Sequence, residues 1–169
     1  MNADDQAATS SLAVDSFYER YRRVVEQTLK ECEAEFKETK EFSDNCLMRL
    51  YHVFGGIFER AIDLFEQERV TYIVASNTSA NSEPPQDTTA RYLIEIKGHS
   101  GELYILFPDI NYCTCASFRV YVLEKKSRIT CKHVLAAWLT SLDKNKVQYH
   151  YLSEEHFQNL LIYHTADKH

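Results

Sequence analysis

Three cysteines and one histidine, packed into a short stretch, constrain this chain more than any other feature. They read Cys113-Thr114-Cys115, then fifteen residues, then Cys131-Lys132-His133. Two short ligand pairs separated by a loop are how a chain builds a tetrahedral metal site, each pair covering one edge. Three thiolates and one imidazole suit Zn²⁺, with Zn–S near ~2.3 Å and Zn–N near ~2.0 Å. Four protein ligands close the tetrahedron and leave no position for water, so one structural zinc is expected rather than a catalytic one. A single buried cysteine would carry no such inference, but two i,i+2 pairs at a strand end and a helix start do.

Other chemistries fit these residues less well. A Cys–His hydrolase would need Cys131 and His133 as nucleophile and base, yet they are two positions apart and no third group or oxyanion partner is evident. Thiol redox chemistry of the usual kind wants Cys-x-x-Cys, which is absent. With no G-x-x-x-x-G-K-[ST] sequence and only four glycines, P-loop hydrolysis of ATP is not expected. The expectation is a protein without enzymatic activity and without a small-molecule substrate.

The remaining composition describes a globular chain. Apolar residues make up 44% of the 169 and charged residues 26%, enough to build a core. No run approaches the ~18 apolar residues that a membrane span needs, so no membrane partner is expected. The opening residues 1–11 are polar with two Asp, unlike a secretory signal. Five cysteines in a reducing compartment read as metal ligands or buried thiols rather than disulfides. Cys32 and Cys46 lie in helical patterns and are expected in the core.

Hydrophobic periodicity divides the chain. Residues 1–14 are expected to be a disordered N-terminus, and 15–69 a helical region. A first helix runs from Asp15 toward Lys37, with Asp15 or Ser16 as its cap and Phe17, Tyr21, Val24, Val25, Thr28 and Leu29 at helical spacing. A second begins near Ser43, and Gly55-Gly56 marks a break or kink in it. Residues 70–109 form a small antiparallel β-meander: Val70–Ala75, Arg91–Lys97 and Glu102–Phe107, with a hairpin turn at Gly98–Gly101. Ser, Thr, Asn and Pro over 76–90 read as a flexible loop. Arg119–Leu123 is ambiguous between helix and strand, Lys132–Leu142 is a helix, and residues 146–169 supply a last helix capped by Ser153, then a tail. The fold class is therefore α+β.

Charge is uneven. Residues 1–69 carry the whole net charge of −6, and residues 70–169 balance to zero. Within 110–146, seven Lys/Arg face two acids. Lys125, Lys126 and Arg128 are the candidates for touching nucleic-acid phosphates, against the plainer reading of a solvated loop.

The pattern C-x-C, spacer, C-x-H resembles the SWIM zinc finger, and Ala136 completes the extended form Cys131-x-His133-x-x-Ala136. Residues 110–145 would be that finger. A chain of this size has no room for a transposase domain and too few Cys and His for a RING. It most resembles the small SWIM proteins of the Shu complex. The segment Phe54–Phe65, the following Val70-Thr-Tyr-Ile, and Phe118 and Leu123 inside the spacer are similar as well. The resemblance implies a nuclear subunit that pairs with a recombinase paralogue as an obligate heterodimer. The pair would promote homologous recombination through recombinase filaments on single-stranded DNA, which it reaches through the complex. The alternative is a regulatory zinc finger that binds DNA directly. The metal-site residues carry over as Cys113, Cys115, Cys131 and His133.

Overall fold

A computed structural model describes residues 3–76 and 91–166, with side chains described from Phe17 onward. Helix α1 spans Ala3–Thr39, α2 Asp44–Phe54 and α3 Gly56–Glu66. Strands β1 (Val70–Ser76), β2 (Tyr92–Lys97) and β3 (Leu103–Leu106) follow. The single turn α4 (Ala116–Phe118) runs into a π-helical turn over Arg119–Glu124, and α5 spans Lys132–Leu142. Strand β4 (Gln148–Ser153) and helix α6 (Glu154–Thr165) complete the order. The α+β expectation holds. Among the described residues, no helix is long and apolar enough to cross a membrane.

Alternation along the strands sends side chains to two cores. Val70, Tyr72, Val74, Ile94, Ile96 and Leu106 face α2, α3 and α5. Ile73, Leu93 and Ile105 face the opposite way, where Phe157 of α6 covers them with Leu160 and Leu161. On the first face α3 packs against α5, so the helix that opens at the Cys131–His133 pair is anchored against an earlier part of the chain. Leu135, Ala136 and Leu139 are its core residues. Helix α1 closes the layer with Val25, Cys32 and Phe36, and Arg49 ties α2 to it through Glu31 at 3.0 Å and Glu35 at 2.6 Å.

Several expectations are met in detail. Ser43 caps α2 by accepting from the Cys46 N–H at 3.1 Å, and Ser153 caps α6 by accepting from the His156 N–H. The Gly98–Gly101 turn closes the β2–β3 hairpin, with the Gly98 N–H donating to the Glu102 carbonyl at 2.7 Å. The Gly55-Gly56 break is real. Gly55 sits at φ 53°, ψ −135° and lets α3 start afresh at the next residue. A side chain at Gly55 would meet nothing within 4 Å, so the cost of adding one comes from backbone conformation alone. Gly55→Ala is expected to destabilise the protein by about 1–3 kcal/mol, measured as a lower urea midpoint with an unchanged slope.

Three expectations need correction. Helix α1 begins at Ala3, not Asp15, so the helix takes in nearly all of the stretch 1–14 expected to be disordered. Asp15 and Ser16 lie within it rather than at its cap. No Gly or Pro interrupts 3–14. The segment opening 146–169 is not only helix and tail. Gln148–Ser153 is a strand paired in parallel with β1, making a mixed four-stranded sheet in the order β3-β2-β1-β4. This pairing is non-local and its register appears only once α5 has carried the chain back across the sheet. The ambiguous Arg119–Leu123 segment is helical. The flexible loop expected over 76–90 lies, beyond Ser76, outside the described residues.

Candidate metal centre

The two ligand pairs reach one place by different routes. Strand β3 ends at Leu106, and a turn in which the Ile110 N–H donates to the Phe107 carbonyl leads the chain to Cys113 and Cys115. Cys115 is the residue before α4, and Cys131 is the residue before α5, with His133 in that helix's first turn. Asn111 ties the two routes together. Its side-chain amide donates to the Ile129 carbonyl at 2.9 Å, and its oxygen accepts from the Thr130 hydroxyl at 3.0 Å. One amide therefore fixes the segment before each ligand pair against the other.

The four donor atoms lie within 4.8 Å of one another and all four residues are buried. The His133 Nδ1 is 3.6 Å from the Cys113 Sγ. A tetrahedron with the bond lengths given above has a sulfur–nitrogen edge of about 3.5 Å, so this edge is close to the size that a zinc-sized ion needs. All five cysteines are free thiols. Cys32 and Cys46 pack in the core as expected, the Cys32 thiol facing the Cys46 carbonyl, and burial pushes the Cys46 thiol up to about 12.

Protonation points the same way. A hydrogen bond from Cys113, reinforced by one from Cys131, holds the Cys115 thiol well below its usual range. The Phe118 N–H adds a further donor at 3.3 Å. Cys113 is driven far up by its hydrogen bond to Cys115, its bond to Cys131 and burial. Cys131 is pushed up to about 11, because a bond with Cys113 that lowers it is outweighed by the bond to Cys115 and by burial. Three thiolates this close together repel one another unless a cation sits between them. A divalent metal supplies the missing charge, so loading expels protons and affinity rises with pH. His133 supports this fit. Its ring turns Nδ1, with an in-plane lone pair when neutral, toward the Cys113 sulfur.

Sequence reasoning missed three residues around the centre. Tyr104 of β3 stacks on the His133 ring, with centroids 4.0 Å apart and planes 25° apart, and fixes its orientation. Asn111 and Thr130 carried a faint signal, being polar residues placed just ahead of each ligand pair. Ala136, which completes the extended motif, is fully buried.

Two of the three basic residues singled out from the sequence gather over one ring. Arg128 is half-buried with its guanidinium 4.1 Å from the centre of the Tyr121 ring. Lys125 lies 5.4 Å from the same ring, and Lys126 is exposed. Farther along, Lys146 is taken up by Glu66 at 3.6 Å and Glu68 at 3.9 Å.

No family model matches the chain, and no solved structure matches it. Named relatives do. It is 33% identical to zinc finger SWIM domain-containing protein 7 of Mus musculus over 139 residues, covering 82% of this chain and 83% of that protein. It is 34% identical to the Danio rerio protein of the same name over 117 residues, 69% of this chain and 75% of that one. A Dictyostelium discoideum homolog is 26% identical over 111 residues, 66% of this chain and 64% of that one.

Proposed function

This chain belongs to the family of zinc finger SWIM domain-containing protein 7, and we propose that it is a non-enzymatic, zinc-pinned adaptor subunit of a Shu-type complex in the nucleus. It pairs with a recombinase paralogue, which supplies the ATPase fold. The pair promotes homologous recombination and DNA repair by assisting recombinase filaments on single-stranded DNA.

The observation that carries this reading is the buried, four-residue cluster of Cys113, Cys115, Cys131 and His133. A metal held by four protein atoms offers no open position to a substrate. Its work is mechanical. When bound, Zn²⁺ supplies the charge that lets three thiolates sit together. The protein's own residues do the rest: Asn111 joins the two ligand segments, Tyr104 orients His133, and α5 transmits the fixed geometry to α3. Apolar side chains left on the surface, including Phe17, Val24, Ile110 and Leu123, are suited to bury against a partner.

The test is co-purification. The metal-loaded chain, co-expressed with candidate recombinase paralogues, is expected to elute as a stable heterodimer with one of them. His133→Ala is expected to lose metal and weaken that complex. Absence of a stable complex with any paralogue would overturn the reading.

A further inference from the structure

Between the sheet and α5 lies a pocket of about 230 Å³. That is smaller than the roughly 300–1,000 Å³ of small-molecule sites, and suits one long side chain. Three aromatic residues from three elements line it: Tyr72 of β1, Tyr92 of β2 and Trp138 of α5. Asp109, in the turn after β3, is the one charged residue of its lining, and no Lys, Arg or His lines it.

The walls are held in place. The Tyr72 and Tyr92 rings stack with centroids 4.9 Å apart and planes 16° apart, and Tyr149 of β4 meets Tyr72 edge to face at 5.9 Å. Tyr72 is only 8% exposed. Among the described residues its hydroxyl has no hydrogen-bond partner, nor has that of Tyr92. A hydroxyl taken out of bulk water and left unpaired is costly, so the pocket is short of a polar occupant. Burial pushes both phenols up, Tyr72 far up, and the Asp109 carboxylate adds to each. Asp109 therefore lies near enough to act on both hydroxyls.

The backbone at Asp109 is unusual. Its φ is 59°, a left-handed conformation uncommon outside glycine. The Ile110 N–H closes the turn on the Phe107 carbonyl at 3.3 Å, and Asn111, bound to Ile129 and Thr130, fixes its end. Among the described residues the exposed Asp109 carboxylate has no ion pair. An unpaired acid kept in a strained turn beside an aromatic pocket points to a use other than stability.

We propose that this pocket receives the side chain of an arginine presented by the protein with which this adaptor pairs, Asp109 taking the guanidinium and the Tyr72 and Tyr92 hydroxyls accepting from it. A guanidinium fits better than an ammonium. It stacks on aromatic faces, grips a carboxylate with two parallel N–H groups and has donors left for both phenol oxygens. The charges are complementary, one acid in the pocket of a chain whose net charge is −6. Residues 77–90, outside the described residues, contain no Lys or Arg and so do not supply the occupant. The proposal deepens the adaptor reading, and the choice of a protein as the source of the arginine rests on that reading.

Trp138 is the only tryptophan in the chain, so its emission reports on the pocket. The metal-loaded full chain, titrated with acetyl-Gly-Arg-Gly-amide, is expected to show a saturable change in emission with Kd on the order of 1 mM, a strength suited to one side chain. The same peptide with citrulline in place of arginine keeps the shape and loses the charge, and is expected to bind about tenfold more weakly. The lysine peptide should bind about threefold more weakly. Asp109→Asn tolerates the left-handed backbone, so it should keep its melting temperature while losing about tenfold in affinity for the arginine peptide and for the paralogue. Tyr72→Phe removes only the unpaired hydroxyl. It should melt no lower than wild type and bind about threefold more weakly. Glu124→Gln, an exposed acid outside the pocket, should bind as wild type does. No saturable change with the arginine peptide, equal binding of the citrulline or lysine peptide, or unchanged affinities in Asp109→Asn would each overturn the proposal. So would a wild-type dimer that Asp109→Asn turns into a monomer in light scattering, because a second copy would then be the occupant. Wild type that pairs with a paralogue but does not bind the arginine peptide sinks the pocket and spares the heterodimer. Specific binding of the arginine peptide with no paralogue pairing sinks the heterodimer, and with it the assignment of the arginine to that partner.

Discussion

Cys131→Ala is expected to empty the metal centre and loosen the segment from 110 to 142, while the sheet and α1–α3 remain folded. The segment between the ligand pairs has little core of its own. Phe118 and Val122 are its buried apolar side chains, and its ends are held by Asn111 and the metal ligands. Metal binding in small zinc modules contributes about 10–16 kcal/mol of apparent folding free energy. Here part of that order is supplied by α3 against α5, so the loss should be smaller, at least about 4 kcal/mol. That corresponds to a fall in Tm of roughly 10 °C for a chain of this size. Hydrogen exchange would locate the change. Amides of α5's first turn and the π-helical turn should lose protection, and those of β1 and β2 should keep most of theirs. Uniform loss of protection across the sheet would mean that the metal holds the whole molecule together. Unchanged exchange near residues 116–133 would mean that it holds nothing.

Phe118→Ala is the other substitution with a large expected effect, and it tests the finger without touching a ligand. The Phe118 ring is 1% exposed and meets Tyr112 edge to face, with centroids 5.7 Å apart. Its backbone N–H is the donor to the Cys115 sulfur. Truncating a buried Phe costs about 3–5 kcal/mol, or roughly 6–20 °C in Tm. The cavity opens beside Cys115, so metal should also exchange faster with a chelator. Leu123 makes the control. It lies in the same spacer but is 52% exposed, and Leu123→Ala should change stability by less than about 0.5 kcal/mol. Equal losses from the two substitutions, measured by urea unfolding, would contradict this account of the finger's core.

The same pair shows what a sequence can and cannot disclose. Phe118 and Leu123 are equally apolar and both drew notice as familiar positions in the spacer. Only the fold separates the one that packs from the one that faces solvent. The metal centre was legible because its chemistry is local. Two i,i+2 pairs carry their meaning in residue type and spacing, and Lys132–Leu142 announced its helix by period. The β-hairpin was legible for the same reason, through its glycines. Strand β4 was not, because Gln148–Ser153 has no turn signal and a polar, half-exposed face. Its partner is β1, far back in the chain, and parallel pairing leaves no local mark. The start of α1 was misjudged because polar composition looks alike in a frayed end and in a helix. Nor could the sequence show that Lys125 and Arg128 share the Tyr121 ring.

The most direct test of the account is the metal content of the chain, purified without added metal and weighed by native mass spectrometry beside a denatured sample. The account predicts one zinc per chain in the native ion, none in the denatured one, and a large drop in melting temperature when a strong chelator removes it. A folded, monodisperse protein that carries no metal, and melts at the same temperature with and without chelator, would contradict it.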